Sequence, residues 1–166
     1  IATRLAPLDV VVASAGTRGM SDSPMTPETV ELAHALGVAP DETARHRARF
    51  LRESHLDSPD VIFAMTRDHR REIVELAPSR MRSTFTIREF ARLADSLTDD
   101  QLRASADAGG SSASARVRAL SAAVASQRGI VLPPADPADD DVVDPYGRSW
   151  QTYQLSASQL EPAVNS

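Results

Sequence analysis

Two short apolar runs constrain the fold more than anything else in the chain. Val10-Val11-Val12, inside residues 9–13, is β-branched throughout, and Val61-Ile62-Phe63-Ala64-Met65, inside residues 60–65, is apolar throughout. A strand with one wet face alternates apolar and polar residues; an unbroken apolar strand expects cover on both faces. Both runs are therefore predicted as buried strands of a parallel sheet. Helical patterns separate and follow them. Thr26-Pro27 supplies an N-cap and a first-turn proline, Val30, Ala33 and His34 recur at helical spacing, and Gly37 ends the helix. Thr66 is predicted to cap a second helix, with Ile73, Leu76 and Ala77 facing inward and Pro78 stopping it. Arg82 to Phe85 reads as a third strand. Thr86-Ile87-Arg88-Glu89 reads as a capping box ahead of Phe90 and Leu93.

The remainder is more helical. Leu97 to Gly110 is polar and predicts a short helix, then a loop; Ala113 to Arg128 predicts an Ala-rich helix with Val117, Leu120 and Val124 on one stripe. An acidic, proline-broken run over 133–143 leads to Asp144-Pro145-Tyr146-Gly147. Trp150, Tyr153, Ala157, Leu160 and Val164 then step by three and four along a closing helix. No internal repeat is visible. Strands alternating with helices predict an α/β domain with a parallel sheet, whose sites lie at the carboxyl ends of strands. Ile1 to Leu5 reads as the tail of a helix whose beginning is absent.

Composition narrows the chemistry. The 166 residues carry no cysteine, so they hold no disulfide, thiolate metal site or cysteine nucleophile. A net charge of −5 argues against nonspecific nucleic-acid binding. No apolar run reaches membrane-spanning length and no secretory pattern appears, which makes a cytoplasmic setting the expectation. All 18 basic residues are Arg, which reads as base bias and not as function. His34, His55 and His69 lack metal-ligand spacing, and neither a metal nor a cofactor is expected.

The Asp-Pro stretch holds the clearest chemistry. Pro145 turns Asp144 away from helix, and Gly147 can bend the chain after it. A carboxylate on a loop beside Tyr146 suits a general acid facing a flat ring, although Asp-Pro-x-Gly is also ordinary turn chemistry.

Taken in order, the motifs resemble the low-molecular-weight protein tyrosine phosphatase family, bacterial branch. Val11-Val12-Ala13-Ser14-Ala15-Gly16-Thr17 is similar to its second strand and following turn. His46-Arg47-Ala48-Arg49 and Asp60 to Met65 are similar to its His-x-Ser/Ala-Arg segment and third strand. Val143-Asp144-Pro145-Tyr146-Gly147 is similar to its Asp-Pro loop, and Thr84 to Phe90 also looks like the bacterial branch. The resemblance implies a single domain over 1–166, a three-layer α/β/α fold with a short parallel sheet, Rossmann-like. Two departures stand out. The family's Cys-x5-Arg-Ser/Thr loop and the strand before it are not in the sequence, and Thr66 stands where many members carry Asp.

The resemblance implies hydrolysis of phosphotyrosine proteins or small aryl phosphates through a phosphocysteine. Asp144 would protonate the leaving oxygen and then activate water, and Tyr146 would wall the phenol ring. Like charges on Asp139, Asp140 and Asp141 would favour the protonated acid if they lie close. His46 and Ser14 would brace the phosphate loop. A surface His, a plain turn Ser and a Tyr packed on the closing helix are the ordinary alternatives. Without the missing strand, two strand edges would face each other unpaired. The chain is therefore expected to be an N-terminally truncated fragment, inactive and poorly stable by itself. A non-catalytic binding domain is the alternative. Arsenate reductase, on the same fold, would need cysteines in the C-terminal half.

Overall fold

The computed structural model describes residues 10–18 and 21–165. Its centre is a β-α-β unit. β1 (Ile62–Ala64) and β2 (Thr84–Thr86) pair in parallel, with Ile62 opposite Thr84, Phe63 opposite Phe85 and Ala64 opposite Thr86. The chain crosses between them through a helix, Arg67–Leu76, and a 3-10 segment, Pro78–Ser83. Parallel strands need such a crossover, because a tight turn only joins antiparallel ones.

Among the described residues there are seven helices, the crossover helix included. In chain order they are α1 (Pro27–Ala35), α2 (Pro40–Arg45), α3 (Arg67–Leu76), α4 (Ile87–Ala94), α5 (Asp99–Ala108), α6 (Ala113–Ser126) and α7 (Trp150–Asn165). The sequence fixes most of their starts. Thr26, Thr66, Thr86, Thr98 and Ser112 each accept a bond from the backbone N–H three residues on. Each such cap contributes about 1 kcal/mol.

The pleat sends alternate side chains to opposite faces. Ile62 and Ala64 face Ile73 of α3, together with Leu51 and Leu56. Phe63 and Phe85 face the other way. Phe90 of α4 meets both rings edge to face, at 5.0 Å and 5.1 Å between centroids. Phe85 is fully enclosed, with Leu93 and Val124 of α6 around it. Two apolar clusters on two faces of one sheet make three layers, α/β/α.

The second face is also tied electrostatically. Arg128 gives two bonds to Glu89, at 2.8 and 3.1 Å, and a third to the Thr84 carbonyl at 2.8 Å. Its guanidinium lies 4.1 Å from the Phe85 ring centroid. Glu89 also closes the capping box on the Thr86 N–H. α5 and α6 pack as a hairpin at Gly109, where a Cβ would sit 2.5 Å from the Ala115 carbonyl oxygen. α7 packs across α4 and α1, and its buried Tyr153 shares a hydrogen bond with Thr26, the α1 cap, at 3.2 Å.

Several expectations need correction. Residues 10–13 form no strand, and Val11 is 93% exposed. A strand needs a ladder partner, and among the described residues this run meets none. The pairing starts only at Gly16, in an isolated bridge to Phe50. The second apolar run is sealed on the Ala64 face and only partly covered on the other, where Phe63 meets Phe90 yet stays 40% exposed and Met65 is also exposed. Among the described residues β1 pairs on the β2 side alone, so its other edge carries no layer. Leu76 faces outward, because α3 turns Ile73 and not its last turn to the sheet. The third strand starts two residues later than expected, as Pro78–Ser83 coils into a 3-10 segment. The helix tail expected at Ile1 to Leu5 lies outside the described residues.

Candidate active site

The Asp-Pro loop is built onto the carboxyl end of β1. The Val142 N–H donates to the carbonyl of Met65, which directly follows Ala64, the last residue of β1, at 2.8 Å. Val142 itself is buried, and the Val143 N–H donates to the Gln159 side chain of α7 at 2.9 Å. The acidic residues ahead of the loop are held from three directions. Asp141 accepts the Arg67 backbone N–H at 2.7 Å, and its carboxylate takes a forked bond from the Arg67 guanidinium, at 3.0 to 3.2 Å. Arg88 of α4 donates to the Asp141 carbonyl at 2.9 Å. Arg92, one turn further, gives Asp140 two bonds at 3.1 and 2.7 Å.

Two of the acidic run's three consecutive carboxylates are thus engaged elsewhere. Asp140 and Asp141 are each neutralised by a guanidinium, so only Asp139 of the three lacks an Arg partner among the described residues. The pairing raises Arg67, chiefly through its hydrogen bond to Asp141, and raises Arg92 through Asp140. Thr66, in the place where an Asp was weighed, serves as the α3 cap.

Asp144 is exposed. Its Oδ1 accepts the Tyr146 N–H at 3.0 Å, and its Oδ2 has no partner among the described residues. Gly147 has a φ of +68°, a value that glycine adopts without strain. The turn thus bonds Asp144 to the Tyr146 backbone, and Tyr146 is 60% exposed. The buried tyrosine is Tyr153, within the closing helix α7 itself.

Ser14 and His46 lie on a second pair of segments. Arg49 donates to the Ser14 carbonyl at 2.6 Å, the Gly16 N–H donates to the Arg49 carbonyl at 2.9 Å, and the Leu51 N–H donates to the Gly16 carbonyl at 2.8 Å. His46 is half-buried at the end of α2, and its ring makes no hydrogen bond among the described residues. No hydrogen bond, ion pair or ring contact among the described residues joins this group to Asp144 or Tyr146.

A cleft of about 330 Å³ lies between the two chain regions Thr17 and Phe50–Leu51 on one side and Glu72, Glu75 and Leu76 of α3 on the other. None of the four candidate residues lines it. Its Glu72 carboxyl is held below the ordinary range, first by the Thr17 hydroxyl and then by Arg18, against a small opposing cost of burial. The Thr17 contact falls outside good hydrogen-bond geometry, so the Arg18 pair at 2.9 Å is the firmer half. Among the described residues no group of three His, Asp or Glu is placed to hold a metal, and no helix is long and apolar enough to cross a membrane.

The anchoring roles of Arg67, Arg88, Arg92 and Gln159 are absent from the sequence reading. The one available signal was the four-residue spacing of Arg88 and Arg92, which puts both on one helix face. A family model described as low molecular weight phosphotyrosine protein phosphatase matches residues 2–100, which include Ser14, His46, β1 and β2 but stop short of Asp144. No curated protein and no solved structure matches the chain.

Proposed function

The chain belongs to the low molecular weight phosphotyrosine protein phosphatase family, and we propose that it carries the acid side of an aryl phosphate monoesterase. The observation that carries this reading is the Asp144 turn: a carboxylate with one oxygen fixed by a backbone N–H and the other free, beside an exposed aromatic ring, at the carboxyl end of β1. Such an acid is fixed in direction and open to substrate.

In the reaction proposed, a cysteine thiolate attacks phosphorus and the bond to the aryl oxygen breaks. Asp144 gives its proton to the departing phenolate, so a neutral phenol leaves. In the second step the Asp144 carboxylate takes a proton from water as the water attacks phosphorus. Inorganic phosphate forms and the thiolate is released. Tyr146 lines the ring, which favours phosphotyrosine and small aryl phosphates over alkyl ones. Ser14 and His46 brace the phosphate loop. The 166 residues hold no cysteine, so the thiolate step needs residues beyond them. The same absence supports the second reading, a family member that binds a phosphorylated partner without turnover.

Turnover of p-nitrophenyl phosphate by two chains separates the readings. One is this sequence; the other is extended upstream to the preceding start codon. Activity confined to the extended chain is the expected result. A folded but inactive extended chain would favour the binding domain.

A further inference from the structure

We propose, resting on the Asp144 reading, that Arg67 and Asp141 form a positioning pair that holds Asp144 over the carboxyl end of β1.

The first N–H groups of a helix have no partner inside it. Thr66 satisfies one of them, that of His69, and leaves the Arg67 N–H to be met from outside. Asp141 meets it at 2.7 Å, so a carboxylate sits where the α3 dipole favours negative charge. The Arg67 side chain then folds back onto the same carboxylate with a forked bond. A fork fixes direction as well as distance, which a single point charge does not. Asp141 is thereby bound to the backbone and the side chain of one residue, and that residue directly follows the cap at the end of β1.

The reacting carboxylate is three positions further on. Between them, Val142 is buried and bonded to the Met65 carbonyl, and Val143 is bonded to Gln159. These two tethers are independent of Arg67. Loss of the clamp should therefore loosen the aim of Asp144 without detaching the loop or unfolding the core. Arg92 and Asp140 form a second tether on the α4 side.

The test uses Arg67→Gln and Asp141→Asn in the upstream-extended chain, with Asp144→Ala as reference. Each enzyme is assayed on phenyl phosphate, whose poor leaving group needs the proton, and on 2,4-dinitrophenyl phosphate, whose good one does not. Both clamp variants are expected to lose kcat/KM on phenyl phosphate by up to about 100-fold. On the dinitrophenyl ester kcat/KM, which reports only the steps through departure of the aryl group and not the later hydrolysis that Asp144 also serves, should stay near that of the parent. Amide exchange of residues 142–147 should quicken in both, with α6 unchanged. Equal losses on both substrates would overturn the positioning role, as a general structural defect has no reason to discriminate. So would clamp variants that match the parent while Asp144→Ala discriminates. If Asp144→Ala itself fails to discriminate, or the extended chain is inactive, the acid reading falls and the positioning role falls with it. Amide exchange would then still report whether the clamp anchors the loop. Asp141→Asn, which preserves size, decides the matter should Arg67→Gln unfold.

Discussion

Two β-prone stretches of this chain, β2 and residues 10–12, meet opposite fates. Phe85 and its neighbours in β2 are sealed, with Thr84 and Thr86 buried, α4 and α6 on one face and α3 on the other. The valines over 10–12 lie open, and the outer edge of β1 leaves Phe63 and Met65 partly in water. Both stretches are rich in β-branched residues, and the open one is the more hydrophobic. The difference is the partner: β2 has a strand beside it and a helix on each face, whereas Val10 to Ala13 have neither among the described residues. Apolar sequence supplies a tendency to be buried, and only the neighbouring layer converts it into stability.

Substitutions can break this comparison at several scales. The largest effect is expected at the sealed end. Phe85→Ala should cost about 3–5 kcal/mol in denaturant unfolding, through lost transfer energy and the cavity left behind. Val11→Ala should change stability by less than about 0.5 kcal/mol, as exposed positions do. Equal costs at the two sites would refute the division. Next comes the tie on the sealed face. Arg128→Ala strips Glu89 of its forked partner and uncovers the Phe85 ring, and should cost about 1–3 kcal/mol in the same measurement.

The open side makes a different prediction. Exposed apolar residues beside an unpaired strand edge favour association between copies. Val12→Asp should lower light scattering at high concentration while leaving the unfolding midpoint in place; unchanged scattering would show that this segment is not the contact. The smallest effect is electrostatic. Glu72 is depressed by Thr17 and Arg18, so the stability it contributes is present above its unfolded value, near 4.5, and fades as pH falls through its lower folded value. Arg18→Gln should raise the Glu72 titration midpoint in carboxyl NMR and remove part of that acid-side dependence. No upward movement would mean the pair is not formed in solution.

Local signals were the legible part of the fold. Thr26, Thr66 and Thr86 announced their helices, and a cap needs only three or four residues to declare itself. The α/β order was legible for the same reason. The fate of residues 10–13 was not, because period and composition say what a segment would pair with and not whether the partner is there. The Asp144–Tyr146 turn was legible from Pro145 and Gly147. Its anchors were not: Arg67 lies 74 positions from Asp141, and Arg92 lies 48 from Asp140. Pairs at such separations leave no periodic trace. The all-Arg composition, read as base bias, has a structural use here, since Arg67, Arg92 and Arg128 each make a forked bond that Lys cannot.

These anchors tie the candidate acid to the sealed half of the molecule, across the end of the sheet. The most direct test is the kcat of Asp144→Ala on phenyl phosphate, in the upstream-extended chain. The account predicts a fall of about 100- to 10,000-fold, the usual contribution of a positioned general acid. A kcat within about twofold of the parent, well below that contribution, would contradict it.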